Sequence, residues 1–129
     1  MKKFLLPAIA TVLVTLPAIA APVWELVGKA ENSQLYVDKT SVVKRVRGKS
    51  TLAWYTSRIS YSSPSPEGWK EMIIFSSANC TARLQRQRMV VVFDQTGEEI
   101  GRTEDGDAAP LVAVPRGSAA GSALSYACR

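Results

Sequence analysis

The stretch Pro115–Cys128, PRGSAAGSALSYAC, is where the chain changes character. Alanine and serine dominate it, and a proline and a serine stand where helix-start signals belong. At helical spacing Ala120, Leu124, Ala127 and Cys128 share one face by the i, i+4, i+7, i+8 rule. Small side chains on that face let a helix lie close against a sheet. Such a helix, with Gly121 inside it, is weak alone. It therefore needs a surface to pack on and something to hold it there, and Cys128 is placed to reach the only other cysteine, Cys80.

Cys80 ends a strand pattern that resumes at Trp69 and runs to Ser77 and beyond. Period two puts Met72, Ile74, Ser76, Ala78 and Cys80 on one face and Ile73, Phe75 and Ser77 on the other. If Cys80 and Cys128 pair, they close a loop of roughly fifty residues, which the chain-entropy account values at about 4 kcal/mol. Beyond Cys80, Arg83 to Phe93 reads as another strand. Strict alternation sets Leu84, Arg86 and Arg88 on the face of Cys80, so a bulge or twist is expected to carry both arginines to the rim beyond the helix.

Outward from this centre, Asp94–Gly97 is a turn, Ile100–Thr103 a short strand, and Glu104–Pro110 a flexible acidic loop. Toward the N-terminus, Thr51–Tyr61 is a long strand rich in β-formers. It is separated from the next by Ser62–Gly68, where two prolines and a glycine forbid regular pairing. Arg47-Gly48-Lys49 forms a basic turn, and Val42 and Val43 are extended. Asp38 caps a single helical turn after the strand Gln34–Val37. Pro22–Gly28 alternates as a half-buried strand, with Trp24 and Leu26 on one face.

Residues 1–20, MKKFLLPAIATVLVTLPAIA, have a basic start, an apolar run and an A-x-A ending. They read as a secretory signal peptide cleaved near Ala20, leaving 21–129 as a single domain in the periplasm or outside the cell. No cysteine follows the A-x-A site, so no lipid anchor is expected there. The net charge of +5 falls to +3 without the leader, 14 basic against 11 acidic residues. An oxidising compartment suits a disulfide in so small a domain.

The chain has no histidine, which removes Ser-His-Asp and Cys-His arrangements and most zinc sites. The cysteines do not form C-x-x-C, and no phosphate loop is present. The acids between Asp94 and Asp107 lack the D-x-[DN]-x-[DN]-G calcium pattern. No catalytic residue, cofactor or metal is expected. Trp24, Trp54, Tyr36 and Tyr55 suit sheet packing better than a ligand platform. Trp69 beside the proline loop, the basic group Lys44, Arg45, Arg47 and Lys49, and the strand arginines Arg83, Arg86 and Arg88 are the candidate partner-binding residues. Solvated faces and edge-strand protection use the same residue types. Secretion, the modest charge and the lack of an RNA-reading or zinc motif argue against nucleic acid.

The order Trp24 in a strand, YVDKTSV (Tyr36–Val42), Trp54 in a strand, a strand ending at Cys80, and VPRGSAAGSALSYAC (Val114–Cys128) resembles the surface-adhesin protein E domain of Gram-negative bacteria. Two positions depart from that family's pattern: SSANC stands in place of an acidic F-D-C, and Arg116 interrupts P-G-S. The resemblance implies an α+β fold, an antiparallel sheet of about six strands with a C-terminal helix tied to its concave face by Cys80–Cys128. It further implies a non-enzymatic envelope protein that adheres to host matrix or serum proteins. The alternative is a periplasmic accessory protein whose sheet edge meets an envelope partner or a second copy of itself. An enzyme without a recognisable motif is the remote third reading.

Overall fold

The computed structural model describes residues 21–129; the signal-peptide expectation for 1–20 lies outside the described residues. The strands are β1 Trp24–Ala30, β2 Ser33–Asp38, β3 Val43–Arg47, β4 Ser50–Tyr61, β5 Glu71–Asn79, β6 Leu84–Phe93, β7 Glu99–Thr103 and β8 Leu111–Ala113, followed by one helix, α1 Ala119–Ala127. They form one antiparallel sheet, in the order β1-β2-β4-β5-β6-β7, with β3 beside β4 and β8 beside β6. The expected α+β architecture is therefore present, with two short strands more than about six.

Those two strands follow from the length of β4 and β6. With twelve residues, β4 offers an edge longer than β2 fills, so β2 pairs with Ser57–Tyr61 and β3 with Ser50–Trp54. Between them the chain leaves the ladder in a 3-10 turn, Lys39–Ser41, and Asp38 caps it as expected. Its Oδ1 accepts from Thr40 N at 3.0 Å and also from Val23 N at 3.0 Å. Ser41 Oγ then accepts from Thr56 N at 2.8 Å, filling the vacancy that the detour leaves on β4. On β6 the same device recurs. There β7 pairs with Val90–Phe93, β8 pairs with Leu84–Arg86, and a second 3-10 turn, Gly106–Ala108, lies in the segment between them.

Helix α1 lies across β1, β2 and β4. Ser118 caps it, accepting from Gly121 N at 3.0 Å while its own hydroxyl donates to Pro115 O at 2.7 Å. Its buried face is Gly121, Ala123, Leu124 and Ala127, seated on Leu35, Val37, Ala53, Tyr55, Ala78 and Val114. Of the residues expected there, Ala120 and Cys128 are half-buried. Gly121 is required by close approach, since a Cβ there would fall 2.1 Å from Pro115 O. Cys80 and Cys128 form the disulfide, with Cα atoms 5.7 Å apart.

Alternation holds along β5: Ile74, Ser76 and Ala78 are buried beneath the helix-bearing face, and Ile73, Phe75 and Ser77 look away. Across the next turn it fails. Arg83 adopts a left-handed backbone (φ 54°), and the pairs that follow are Asn79↔Leu84, Ala78↔Gln85 and Ser77↔Arg86. Gln85, not Arg86, therefore returns to the face of Cys80, and Arg86 stands on the opposite face rather than at a rim beyond the helix. The expected bulge is present at Arg88, between the pairs Ser76↔Gln87 and Phe75↔Met89. It resets the parity of the strand so that Val90 and Val92 join Ile74 and Met72 on the helix side. A left-handed non-glycine residue costs about 1–2 kcal/mol. The Arg83 side chain offsets this by donating to Val114 O, Ser125 Oγ and Gly121 O at 3.4, 3.2 and 3.3 Å, tying the turn to the helix.

Candidate functional site

The β3–β4 hairpin concentrates positive charge. Between Lys39 and Pro66 the sequence has six basic residues and no acid. All five residues of β3 are exposed, Val46 by 75%. Pairing places Arg45 opposite Leu52 and Arg47 opposite Ser50, on the face away from α1, and Lys44 opposite Ala53 on the helix side. Lys44 Nζ donates to Arg129 O just past the helix C-terminus, a favourable place for a cation. Among the described residues Arg45, Arg47 and Lys49 have no ion pair.

The β6 arginines are placed differently from the hairpin, and each is engaged internally. Arg83 holds the helix. Arg86 Nη1 donates to Asp107 O at 2.6 Å and to Ala109 O, and Arg88 Nη2 pairs with Asp107 Oδ1. The segment Glu104–Pro110 is thus fastened to β6, with Ala109 buried, instead of being a free acidic loop. The Arg88 guanidinium holds the Asp107 carboxyl below the usual carboxylate range. Three other acids of this region are also engaged. Asp94 accepts from Thr96 Oγ1 at 2.6 Å, Thr96 N at 2.8 Å and Glu98 N at 3.1 Å, and Glu99 and Glu104 both pair with Arg102. Among the described residues no group of three metal-ligating side chains is placed to hold an ion.

Trp69 is half-buried at the end of the proline loop, which closes on itself: Trp69 N donates to Ser65 Oγ at 3.0 Å and Ser65 N to Trp69 O at 2.9 Å. The structure therefore separates the candidates. Arg45, Arg47, Arg86 and Arg88 share the face away from α1, Lys44 and Arg83 support the helix, and Trp69 belongs to its loop.

Sequence reasoning missed two features. One is the face away from α1, which no helix or strand among the described residues covers. Trp54, Phe75, Met89 and Phe93 are half-buried there, and the Arg58 guanidinium lies over the rings of Trp24 and Tyr36 at 5.7 and 5.6 Å. Its signal was the apolar alternate set of β5, Ile73 and Phe75, as hydrophobic as a covered face. The other is a groove of about 370 Å³ on the helix side, bounded by β6, Thr103, Val112 and Ser118. Gln85 lies in its floor and donates to Tyr55 Oη at 2.8 Å and Ser76 Oγ at 3.4 Å. Burial pushes the Tyr55 hydroxyl above its usual pKa. Among the described residues Asp105 is the one carboxylate lining the groove.

Among the described residues no helix is long and apolar enough to cross a membrane. Compared with known proteins, residues 24–129 match the family model described as surface-adhesin protein E. No curated protein and no solved structure matches.

Proposed function

The chain belongs to the surface-adhesin protein E family, and from that premise we propose that it is a non-catalytic binding domain, exported to the cell envelope, that adheres to host matrix or serum proteins. The observation that carries this reading is the β3–β4 hairpin, whose Arg45, Arg47 and Lys49 are exposed and unpaired among the described residues. Cations left without intramolecular partners on a protruding edge favour a partner with an acidic surface and speed its encounter by electrostatic steering. Arg86 and Arg88 supplement that surface, Trp69 offers a separate contact beside the proline loop at the other end of β4, and Lys44 and Arg83 maintain the geometry behind the hairpin.

A pull-down from host-matrix and serum extracts with the mature, oxidised chain tests the reading. Capture of a matrix or serum protein is expected, weakening as salt is raised. Reversing the three charges together, Arg45→Glu, Arg47→Glu and Lys49→Glu, is expected to reduce binding at least tenfold with little change in stability, because exposed substitutions away from special features usually stay within about 0.5 kcal/mol. Equal capture by the reversed variant would remove the hairpin from the account. A second reading, a periplasmic accessory protein that meets an envelope partner or its own copy, is favoured by the outer edges of β3 and β7, which have no strand partner among the described residues.

A further inference from the structure

We infer that the face of the sheet away from α1 carries, at its disulfide end, a site for an acidic sugar unit of a glycan. The register sets Val43, Trp54, Ser77, Arg86 and Leu111 side by side across β3, β4, β5, β6 and β8. In the next row Arg45, Leu52, Asn79 and Leu84 lie on the same face. Trp54, Ser77, Asn79, Arg86, Arg88 and Leu111 line a shallow depression of about 240 Å³. Drug-sized ligands occupy cavities of about 300–1,000 Å³, so this one suits a single ring.

The chemistry of the lining selects the occupant. A half-buried indole offers a flat apolar surface of the kind that receives the C–H face of a sugar ring. Ser77 and Asn79 supply hydroxyl and amide groups at the level of the ring hydroxyls. Arg86 and Arg88 are already held in place. Arg86 uses Nη1 for its two carbonyls, and Arg88 uses Nη1 for Ser77 Oγ at 3.3 Å and Nη2 for Asp107. Nη2 and Nε of Arg86 and Nε of Arg88 have no partner among the described residues, and each remains a donor for an anion. With Arg45 on the same face, three cations meet one acid, Asp107, whose side chain is 92% exposed. A carboxylate or sulfate on the sugar halves that excess of positive charge, and prefastened guanidinium forks bind such groups with less loss of side-chain entropy than free ones. A neutral sugar leaves that excess of positive charge uncompensated, and a purely apolar ligand leaves the remaining Arg86 and Arg88 donors unused.

The test is a titration of the mature, oxidised chain with three probes: an unsulfated uronic-acid oligosaccharide, a heparin oligosaccharide and a neutral maltooligosaccharide. Binding is followed by NMR at the backbone amides of Ser77 and Asn79, which every variant retains. Saturable shifts are expected with at least one acidic probe and none with the neutral one; the probe that binds tells carboxylate from sulfate recognition. Trp54→Ala and Arg88→Gln are each expected to weaken binding about tenfold, and Trp54→Phe, which keeps a flat ring and serves if the alanine variant fails to fold, to restore most of it. The hairpin-tip variant Arg47→Glu is expected to leave it within about twofold, which separates this site from the protein-binding reading. Absence of saturable binding by either acidic probe overturns the proposal, as does binding unchanged in both Arg88→Gln and Trp54→Phe/Arg88→Gln.

Discussion

Cys128→Ala is expected to cost about 2–5 kcal/mol and to lower Tm by roughly 10 °C or more, the usual consequence of losing the bridge in a small exported domain. Two physical effects combine. In the unfolded chain the bridge between Cys80 and Cys128, 48 residues apart, removes loop freedom that the variant regains. In the folded chain the bridge joins the far end of a nine-residue helix to the end of β5. A helix that short does not persist in water without tertiary support. Urea denaturation of the oxidised protein and of Cys128→Ala, with and without reductant, checks both. Reductant should bring the parent down to the variant and leave the variant unchanged. A parent whose midpoint ignores reductant would contradict the stabilising role assigned to the bridge.

Leu124→Ala is expected to cost about 2–5 kcal/mol, as fully buried leucines do when a cavity replaces the side chain. Leu124 has no exposed surface and sits in the centre of the helix seat, among Leu35, Val37, Ala53 and Tyr55. The sheet beneath it is hydrogen-bonded on both sides of β4, and the Gly121 backbone already lies against Pro115, so the site has little room to collapse. Equilibrium denaturation with the disulfide intact measures the loss. A cost under about 1 kcal/mol would mean that the bridge alone holds α1 and that its packing contributes little.

Much of this arrangement was legible from particular residues. Ser118 and the spacing of Ala120, Leu124, Ala127 and Cys128 identified the helix and its buried side, Asp38 identified a capped turn, and period two along β5 gave the covered face correctly. What was not legible depended on single backbone events. The left-handed conformation of Arg83 moves the residues of β6 that precede the bulge at Arg88 to the other face, and nothing in the residue type announces it, since arginine has no special tolerance for that region. The β3 hairpin was legible from extended Val42 and Val43 and the basic turn at Arg47–Lys49, whereas β8 was hidden because it has three residues and its pairing partner on β6 lies far along the chain. The acidic segment 104–110 has the composition of a free loop; its attachment by Arg86 and Arg88 follows from tertiary pairing alone.

The same pairing clarifies the basic clusters. Alike in charge, they differ in what surrounds them: the β6 arginines act first on their own chain, while Arg45, Arg47 and Lys49 of the hairpin face outward without ion-pair partners among the described residues. A surface adhesin must present that hairpin outside the cell, and trypsin cleaves after the lysines and arginines that it carries. Brief trypsin treatment of intact cells, followed by mass spectrometry of the released peptides, therefore tests the account most directly. The predicted result is cleavage at Arg47 or Lys49 at the exposed turn before the cells are permeabilised, or recovery of the chain in the medium. Complete protection of the cell-bound pool, with none in the medium and cleavage only after permeabilisation, would contradict adhesion and leave the periplasmic reading in its place.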